Sequence, residues 1–376
     1  MTLETSIIII SGLFLFIYCI IIIGFTAGWF RKEKHENKNL ENLPFLSVIV
    51  AFRNEETNLG NLISHLKAQD YLSHKYEIIF SDDFSQDSSI DIIEKEIQRS
   101  ENFRLVKPGN GDNPGKKAAL ERAMNLSNGE IIITTDADCF MGKHWLESIT
   151  KGFQNDDVIL ILGPVDIVTN ENIFSHFQSL EFMSLTGSAA GSAKIGRPVL
   201  ANAANLAFRK NALQEVKSKI EGAHLSSGDD MFLLHAIKKE FPKGVKFLLQ
   251  KEAVVFTQPL KSIREFCRQR MRWSAKATAF KDLFTLITGA AVAGLNLFLV
   301  IGFIMAFKYT ALIQPLLLIW IVKVLVDLPM VTGVTVFMRK VRLMRLYIPL
   351  QLIYPFYVSS TLLLAALVKS SWKNRK

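Results

Sequence analysis

Four long apolar runs divide this chain, and between the first two lies a regular alternation of short apolar and longer amphipathic segments. No charged residue falls between Glu4 and Arg31, and Ile7 to Phe30 is long and apolar enough to cross a hydrocarbon core of about 30 Å. Similar runs extend from Leu283 to Phe307, Tyr309 to Met338 and Leu346 to Val368, and each predicts a membrane-spanning helix. The last contains Pro349 and Pro355, which leaves a re-entrant or interfacial course open for it. Met1 to Ser6 lacks the basic residues of a signal peptide, and no small-x-small cleavage site follows, so the first run is expected to stay as an anchor.

From Leu46 onward the period switches. Leu46 to Phe52, Tyr76 to Ser81, Phe103 to Val106, Glu130 to Thr135 and Asp157 to Leu162 read as strands. Glu56 to Ala68, Asp87 to Arg99, Gly115 to Leu126 and Lys143 to Phe153 read as helices between them. This order predicts an α/β fold, a mostly parallel sheet flanked by helices, with membrane helices at both ends. Lys261 to Lys281 sets Ile263, Phe266, Met271, Trp273 and Phe280 among seven basic side chains, the pattern of an interfacial amphipathic helix. The expected divisions are an anchor at 1–33, an α/β domain at 34–258, the interfacial segment at 259–282 and a membrane region at 283–376. No internal repeat is visible.

The formal charge of +9 is unevenly spread. From Lys261 onward 17 Lys and Arg face 3 Asp and Glu, whereas the preceding 260 residues carry a net charge of −5. The basic excess therefore belongs to the membrane-facing part, and an anionic lipid surface is the simpler partner than nucleic acid. Arg31, Lys32 and Lys34 flank the first span and Arg339, Lys340, Arg342 and Arg345 follow the third, which puts both clusters, and the α/β domain, on the cytoplasmic side. Lys369, Lys373, Arg375 and Lys376 also favour the inside. Within the third run Lys323 and Asp327 share a helical face, as a structural pair or as part of a lipid or polymer path. Cys19, Cys139 and Cys267 have neither CxxC spacing nor close neighbours, so a disulfide framework is not expected.

Candidate chemistry centres on Asp136-Ala137-Asp138, directly after the apolar run Ile131 to Thr135. In an extended chain residues i and i+2 share a face, so both carboxylates are expected to enter one crevice at the carboxyl end of a strand. A divalent cation, Mg2+ or Mn2+, relieves their repulsion and bridges them to a diphosphate. The loop from Gly109 to Lys117 does not have P-loop spacing: five residues rather than four separate Gly109 from Gly115, and Lys117 stands where a Ser or Thr is needed. No GxGxxG follows the first strand.

Several separated segments then fall into one order. Ser47 to Glu56 carries Asn54-Glu55, Asp82-Asp83-Phe84-Ser85-Gln86-Asp87 resembles a DDxSxD, and Gly115-Lys116, Asp136-Ala137-Asp138, Asp229-Asp230 and Gln269-Arg270-Met271-Arg272-Trp273 follow. Over roughly Ser47 to Trp273 the chain resembles the membrane-bound inverting glycosyltransferases of family 2, the group of cellulose, chitin and hyaluronan synthases and ceramide glucosyltransferase. The resemblance implies a GT-A-like fold and a nucleotide-sugar donor, with a UDP-sugar expected. It assigns Glu55, Asp83, Lys116, Asp136 and Arg272 to the donor, Asp136 and Asp138 to the metal, and Asp230, with Asp229 beside it, to base catalysis. Gln269 and Trp273 of the QxxRW segment are expected at a lipid or glycan acceptor, Trp273 as an aromatic platform for a sugar ring, with an interfacial anchor at the bilayer as the alternative for it. Ala51, Phe84 and Asp229 depart from the residues most relatives carry there, and none of these departures removes a charge the chemistry needs.

The residues fit that chemistry on their own terms. Displacing a nucleoside diphosphate from a sugar requires neutralisation of the leaving group, a base for the acceptor hydroxyl and an acceptor held in line. A sugar-phosphate nucleotidyltransferase is the enzymatic alternative, but Phe52-Arg53-Asn54-Glu55 lacks the glycine-rich loop it would want. A non-catalytic membrane scaffold is the other, and the retained acids argue against it.

Overall fold

The computed structural model describes residues 2–32, 43–220 and 228–367. Lys34, Lys369, Lys373, Arg375 and Lys376, which contribute to the expected orientation, lie outside the described residues. Helix α1 (Leu3–Phe30) opens on Thr2, whose hydroxyl accepts from the Thr5 backbone N–H at 3.2 Å. Then β1 (Leu46–Phe52), α2 (Glu56–Lys67), β2 (Tyr76–Asp82), α3 (Ser89–Ile97), β3 (Phe103–Val106), α4 (Lys116–Leu126) and β4 (Ile131–Asp136) alternate. Next come β5 (Cys139–Met141), α5 (Trp145–Gly152), β6 (Leu160–Leu162), β7 (Val165–Ile167), α6 (Ile173–Lys194), β8 (Leu206–Arg209), α7 (Lys210–Val216) and α8 (Asp229–Glu240). The chain ends with β9 (Val245–Phe247), β10 (Val255–Thr257), α9 (Ile263–Lys276), α10 (Leu283–Ala306), α11 (Ile313–Phe337) and α12 (Tyr347–Leu367).

These elements form two compact units, one built from Lys32–Val168 and Leu200–Gln258, the other from Met1–Arg31, Thr169–Val199 and Pro259–Lys376. In the first, seven strands run in the order β3-β2-β1-β4-β8-β6-β9. The helices α2, α3 and α4 each return the chain in the same sense, so β1, β2, β3 and β4 pair in parallel. Strand β8 runs antiparallel to β4 and β6. All seven residues of β1 are buried, which is why its sequence is a continuous apolar run rather than an alternating one. With β2 on one side of β1 and β4 on the other, the strand order reverses at β1, where open α/β sheets form their ligand crevice. A second sheet, β5-β10-β7, folds beside the end of β4.

Among the described residues of the second unit four helices, Leu3–Phe30, Leu283–Ala306, Thr310–Phe337 and Val341–Leu364, are long and apolar enough to cross a membrane. The fourth run is a helix carried through Pro355, with Pro349 in its first turn where a missing N–H breaks no helical bond. Helices α1 and α6 approach at two glycines: a Cβ on Gly28 would sit 2.2 Å from the Gly191 carbonyl oxygen, and one on Gly191 2.2 Å from that of Phe25. Lys323 is fully buried and donates to Asp327 at 2.9 Å and Gln351 at 2.7 Å, while Tyr18 donates to Asp327 at 2.6 Å. Asp327 also accepts from Gln351 at 3.0 Å. The two charges are thus satisfied in a cross-link of α1, α11 and α12, the arrangement of a structural pair. Helix α6 had no forecast in the apolar pattern, because its buried face mixes Ser175, Gln178, Ser179, Glu181, Thr186 and Ser192 with the apolar positions.

Candidate active site

Register brings the acidic residues together. Phe52 pairs with Asp82 and Ala51 with Asp136, so the segments leaving β1, β2 and β4 emerge side by side at the carboxyl edge of the sheet. The loops after β1 and β2 are then stitched to each other. Asn54 N–H donates to Ser85 Oγ at 3.1 Å, Glu55 N–H to Ser89 Oγ at 2.8 Å and Glu56 N–H to Asp87 Oδ2 at 3.1 Å, while Gln86 N–H returns to Asn54 Oδ1 at 2.8 Å. Asp82 accepts from Ser85 N–H at 3.0 Å and closes the turn. Asp83 is buried, and its Oδ1 accepts from Gly115 N–H at 2.6 Å. That bond joins the DDxSxD and GK segments, and Gly115, at φ +142°, supplies a backbone shape that side chains disfavour.

Phe84 occupies the same loop at φ +57°, exposed, in a backbone shape that glycine adopts more readily. A left-handed conformation costs a non-glycine residue about 1–2 kcal/mol, offset in part by the greater freedom glycine has when unfolded. We expect Phe84→Gly to stabilise the full chain by about 0.5–1 kcal/mol relative to Phe84→Ala, read as thermal melting in detergent. A Phe84→Gly protein less stable than Phe84→Ala would show that the backbone is not the source of strain.

At the next crevice wall, Lys116 begins α4 and its ammonium binds Asp136 Oδ1. Burial works to lower the Lys116 pKa, but Asp136, Asp230 and Asp138 together raise it above the usual lysine value. The DxD departs from the expected geometry: Asp136 ends β4, but Ala137 and Asp138 form a turn into β5. Turn geometry, not strand alternation, therefore sets where Asp138 stands. Its Oδ2 accepts from Thr257 Oγ1 at 3.3 Å, across the β5–β10 ladder that pairs Thr257 with Cys139. Surrounding protein raises the Asp138 carboxyl to about 6, and the negative charges of Asp136 and Glu55 add to this.

This crowding is the test of a metal. Carboxylates of Glu55, Asp136 and Asp138 act on one another with Lys116 as the nearby cation, a set of hard oxygen donors with excess negative charge. Among the described residues no three His, Cys, Asp or Glu side chains converge closely enough to hold a metal alone. Such a site suits a cation completed by substrate phosphates, and the donor set fits Mg2+ or Mn2+.

Asp229 and Asp230 open α8 after Gly228, at φ +106°. Asp230 Oδ2 accepts from Ala203 N–H at 3.3 Å and Oδ1 from Met231 N–H at 2.9 Å. Asp229 lies 3.7 Å from the Lys117 ammonium. Asp230 faces the Lys116 group and Asp229 the neighbouring lysine, so the two acids of the pair have separate surroundings.

Gln269, Arg272 and Trp273 belong to the helical unit, on α9, and all three are half-buried. Between them Arg270 is buried and forms an ion pair with Glu181 of α6, at 3.2 Å from Nε to Oε1 and 2.5 Å from Nη2 to Oε2. Arg270 Nη1 donates to Gln269 Oε1 at 2.5 Å, and Tyr357 of α12 donates to Glu181 at 3.2 Å. The guanidinium lies 4.2 Å from the centre of the Trp273 ring and 4.6 Å from that of Phe266. Sequence reasoning passed over Arg270, Glu181 and Thr257. Arg270 stood at a wildcard position of QxxRW, and the other two are far from any motif in the chain.

A mainly parallel sheet flanked by helices, with acidic loops at the carboxyl edge of its central strands, defines a GT-A-like glycosyltransferase fold. Residues 47–216 match the family model described as glycosyl transferase family 2. The chain is 29% identical over 130 residues to the beta-monoglucosyldiacylglycerol synthase of Trichormus variabilis, a stretch covering 34% of this chain and 28% of that protein. The chain thus spans little more than a quarter of that relative's length. With the glycosyltransferase AglE of Haloferax volcanii it shares 24% identity over 264 residues, 70% of this chain and 82% of that one. A mannosyltransferase from Pyrobaculum calidifontis, solved with GDP-Man and Mn2+, has the same fold over 99% of this chain and 100% of its own, with a TM-score of 0.58 at 16% identity.

Proposed function

We propose that this chain is a membrane-embedded inverting glycosyltransferase that moves a sugar from a nucleotide sugar, a UDP-sugar, to a lipid or growing glycan acceptor. The observation that carries the reading is the grouping of Lys116, Asp136, Asp138 and Asp230 beside the Asp83–Gly115 link at the switch point of the sheet. The match to the family model and the names of relatives such as the diacylglycerol-linked synthase support the sugar-transfer chemistry and a lipid acceptor. The four apolar helices support membrane embedding, and the basic residues Arg31, Lys32, Arg339, Lys340, Arg342 and Arg345 support a cytoplasmic catalytic domain.

In this mechanism Asp83 and the Gly115-Lys116 backbone hold the nucleoside. Asp136 and Asp138 hold Mg2+ or Mn2+, which when bound neutralises charge on the diphosphate. Lys116 and Arg272 add positive charge for the leaving group, Arg272 through a planar fork suited to two phosphate oxygens. Gln269 and Trp273 orient the acceptor, the indole as a platform for a sugar ring. As the acceptor oxygen bonds to the anomeric carbon, its proton passes to a carboxylate oxygen of Asp230. The bond to the diphosphate breaks with its electron pair leaving on the nucleoside diphosphate. One displacement of this kind inverts the anomeric centre.

Purified full chain incubated with a divalent metal, lipid acceptors and a panel of nucleotide sugars should release one nucleoside diphosphate and give a product heavier by one glycosyl unit. A product carrying a nucleotidyl group would instead mark a nucleotidyltransferase, and no turnover of any donor would favour a scaffold.

A further inference from the structure

We infer that Glu181 of α6 is the positioning residue of the acceptor site, acting through Arg270 to fix the orientation of Gln269 and Trp273. The inference rests on the acceptor role proposed above for those two side chains. Its starting point is the position of Arg270 inside QxxRW. Neither wildcard of that motif is asked to touch substrate, yet the first holds a buried arginine bonded to a carboxylate on another helix. Its guanidinium is engaged at all three nitrogens and beside an aromatic ring: Glu181 takes Nε and Nη2, Gln269 takes Nη1, and the Trp273 ring centre lies 4.2 Å from the guanidinium carbon.

Both members of the pair are buried, with side chains only 4% exposed, so the contact is not a surface ion pair that solvent screens. The surroundings fix Glu181 in turn. Tyr357 donates to its Oε1, and Phe182, its neighbour on α6, lies 6.2 Å from the Trp273 ring. Gln178, one helical turn earlier, clamps the approach to α9 by bonding both the N–H of Leu260, at 2.9 Å, and its carbonyl oxygen, at 3.0 Å. Phe174 and Phe177 pack on Phe266 with ring centres 5.8 and 5.9 Å away.

Arg270 therefore sits between a carboxylate on a different helix and the two side chains assigned to the acceptor. A fork bonded at both ends has a defined plane and position, and an indole whose ring centre lies 4.2 Å from it packs against a fixed neighbour. Removing the carboxylate frees the plane to rotate, and with it the amide of Gln269 and the ring of Trp273. The donor-side residues Asp83, Lys116, Asp136 and Asp138 belong to the other unit and keep their own bonds, so the loss is expected to fall chiefly on the acceptor.

The test compares full-length wild type with Glu181→Gln, Glu181→Asp and the double variant Glu181→Leu/Arg270→Met. For each, transfer to acceptor, donor hydrolysis in water without acceptor, and thermal melting in the same detergent are measured. Glu181→Gln should raise the acceptor KM or lower acceptor kcat/KM by about 10²-fold, with the donor KM and the rate of donor hydrolysis within about twofold of wild type. Glu181→Asp, which keeps the charge, should recover part of the loss. The double variant, with the buried charges replaced by apolar groups of similar volume, should regain wild-type melting without regaining transfer, which separates positioning from mere stability. Wild-type acceptor kinetics in Glu181→Gln, or restored transfer in the double variant, would overturn the inference and leave the donor reading standing. Failure of wild type to turn over any nucleotide sugar would overturn both.

Discussion

Replacing Asp230 with asparagine is expected to lower sugar transfer by about 10²- to 10⁴-fold while leaving donor binding nearly intact. The substitution keeps the shape and one accepting oxygen, so the bond from Met231 N–H at 2.9 Å can persist. The amide cannot accept a proton from the acceptor hydroxyl. Its NH2 also cannot accept from Ala203 N–H, a contact of 3.3 Å whose loss costs about 1 kcal/mol locally and does not approach the expected kinetic effect of about 3–5 kcal/mol. Nucleoside diphosphate binding, measured calorimetrically in parallel, separates the two. Transfer near the wild-type rate would move the base elsewhere, and Asp229 would be the first residue to replace, with its Lys117 partner 3.7 Å away.

How far this site could be read from the chain depends on whether each feature is local. Strand β1 was legible because a strand buried on both faces must be a continuous apolar run, and Leu46 to Phe52 is one. The four spanning-length helices were legible for the same reason, since hydrocarbon tolerates little but apolar side chains. Asp83, Lys116, Asp136, Asp138 and Asp230 could be singled out by residue type and order, and strand register then explains how the segments carrying Asp83 and Asp136 meet. What was not legible depends on partners distant in sequence. The turn at Ala137 and Asp138 is held by Thr257, 119 residues away, and so the strand-alternation argument gave the right neighbourhood by the wrong geometry. Helix α6 carries Glu181 on a buried face with no clean apolar stripe, and nothing before folding distinguishes that glutamate from a solvated one. Arg270 reads as one more base in a strongly basic segment until α6 and α12 enclose it.

Stripping divalent metal from the protein is expected to abolish donor turnover, and Mg2+ or Mn2+ to restore it. The reason lies in the charge balance of the crevice. Asp136 and Asp138 stand near Glu55 with Lys116 as the near cation, and Lys116 is already engaged by Asp136. A diphosphate entering that site brings further negative charge, and unit like charges 4 Å apart repel by about 4 kcal/mol at the effective dielectric of a protein surface. Lys116 by itself does not offset several such pairs. Asp138→Ala provides the discriminating comparison, because it removes an expected metal ligand and one repelling charge together. In the presence of Mg2+ the variant should bind UDP much more weakly than wild type. In EDTA the difference should vanish or reverse slightly, since the metal-free wild type keeps the repulsion that the variant has lost. Full turnover in protein verified as metal-free would remove the metal from the mechanism, and Lys116 together with Arg272 would then have to neutralise the leaving group without it.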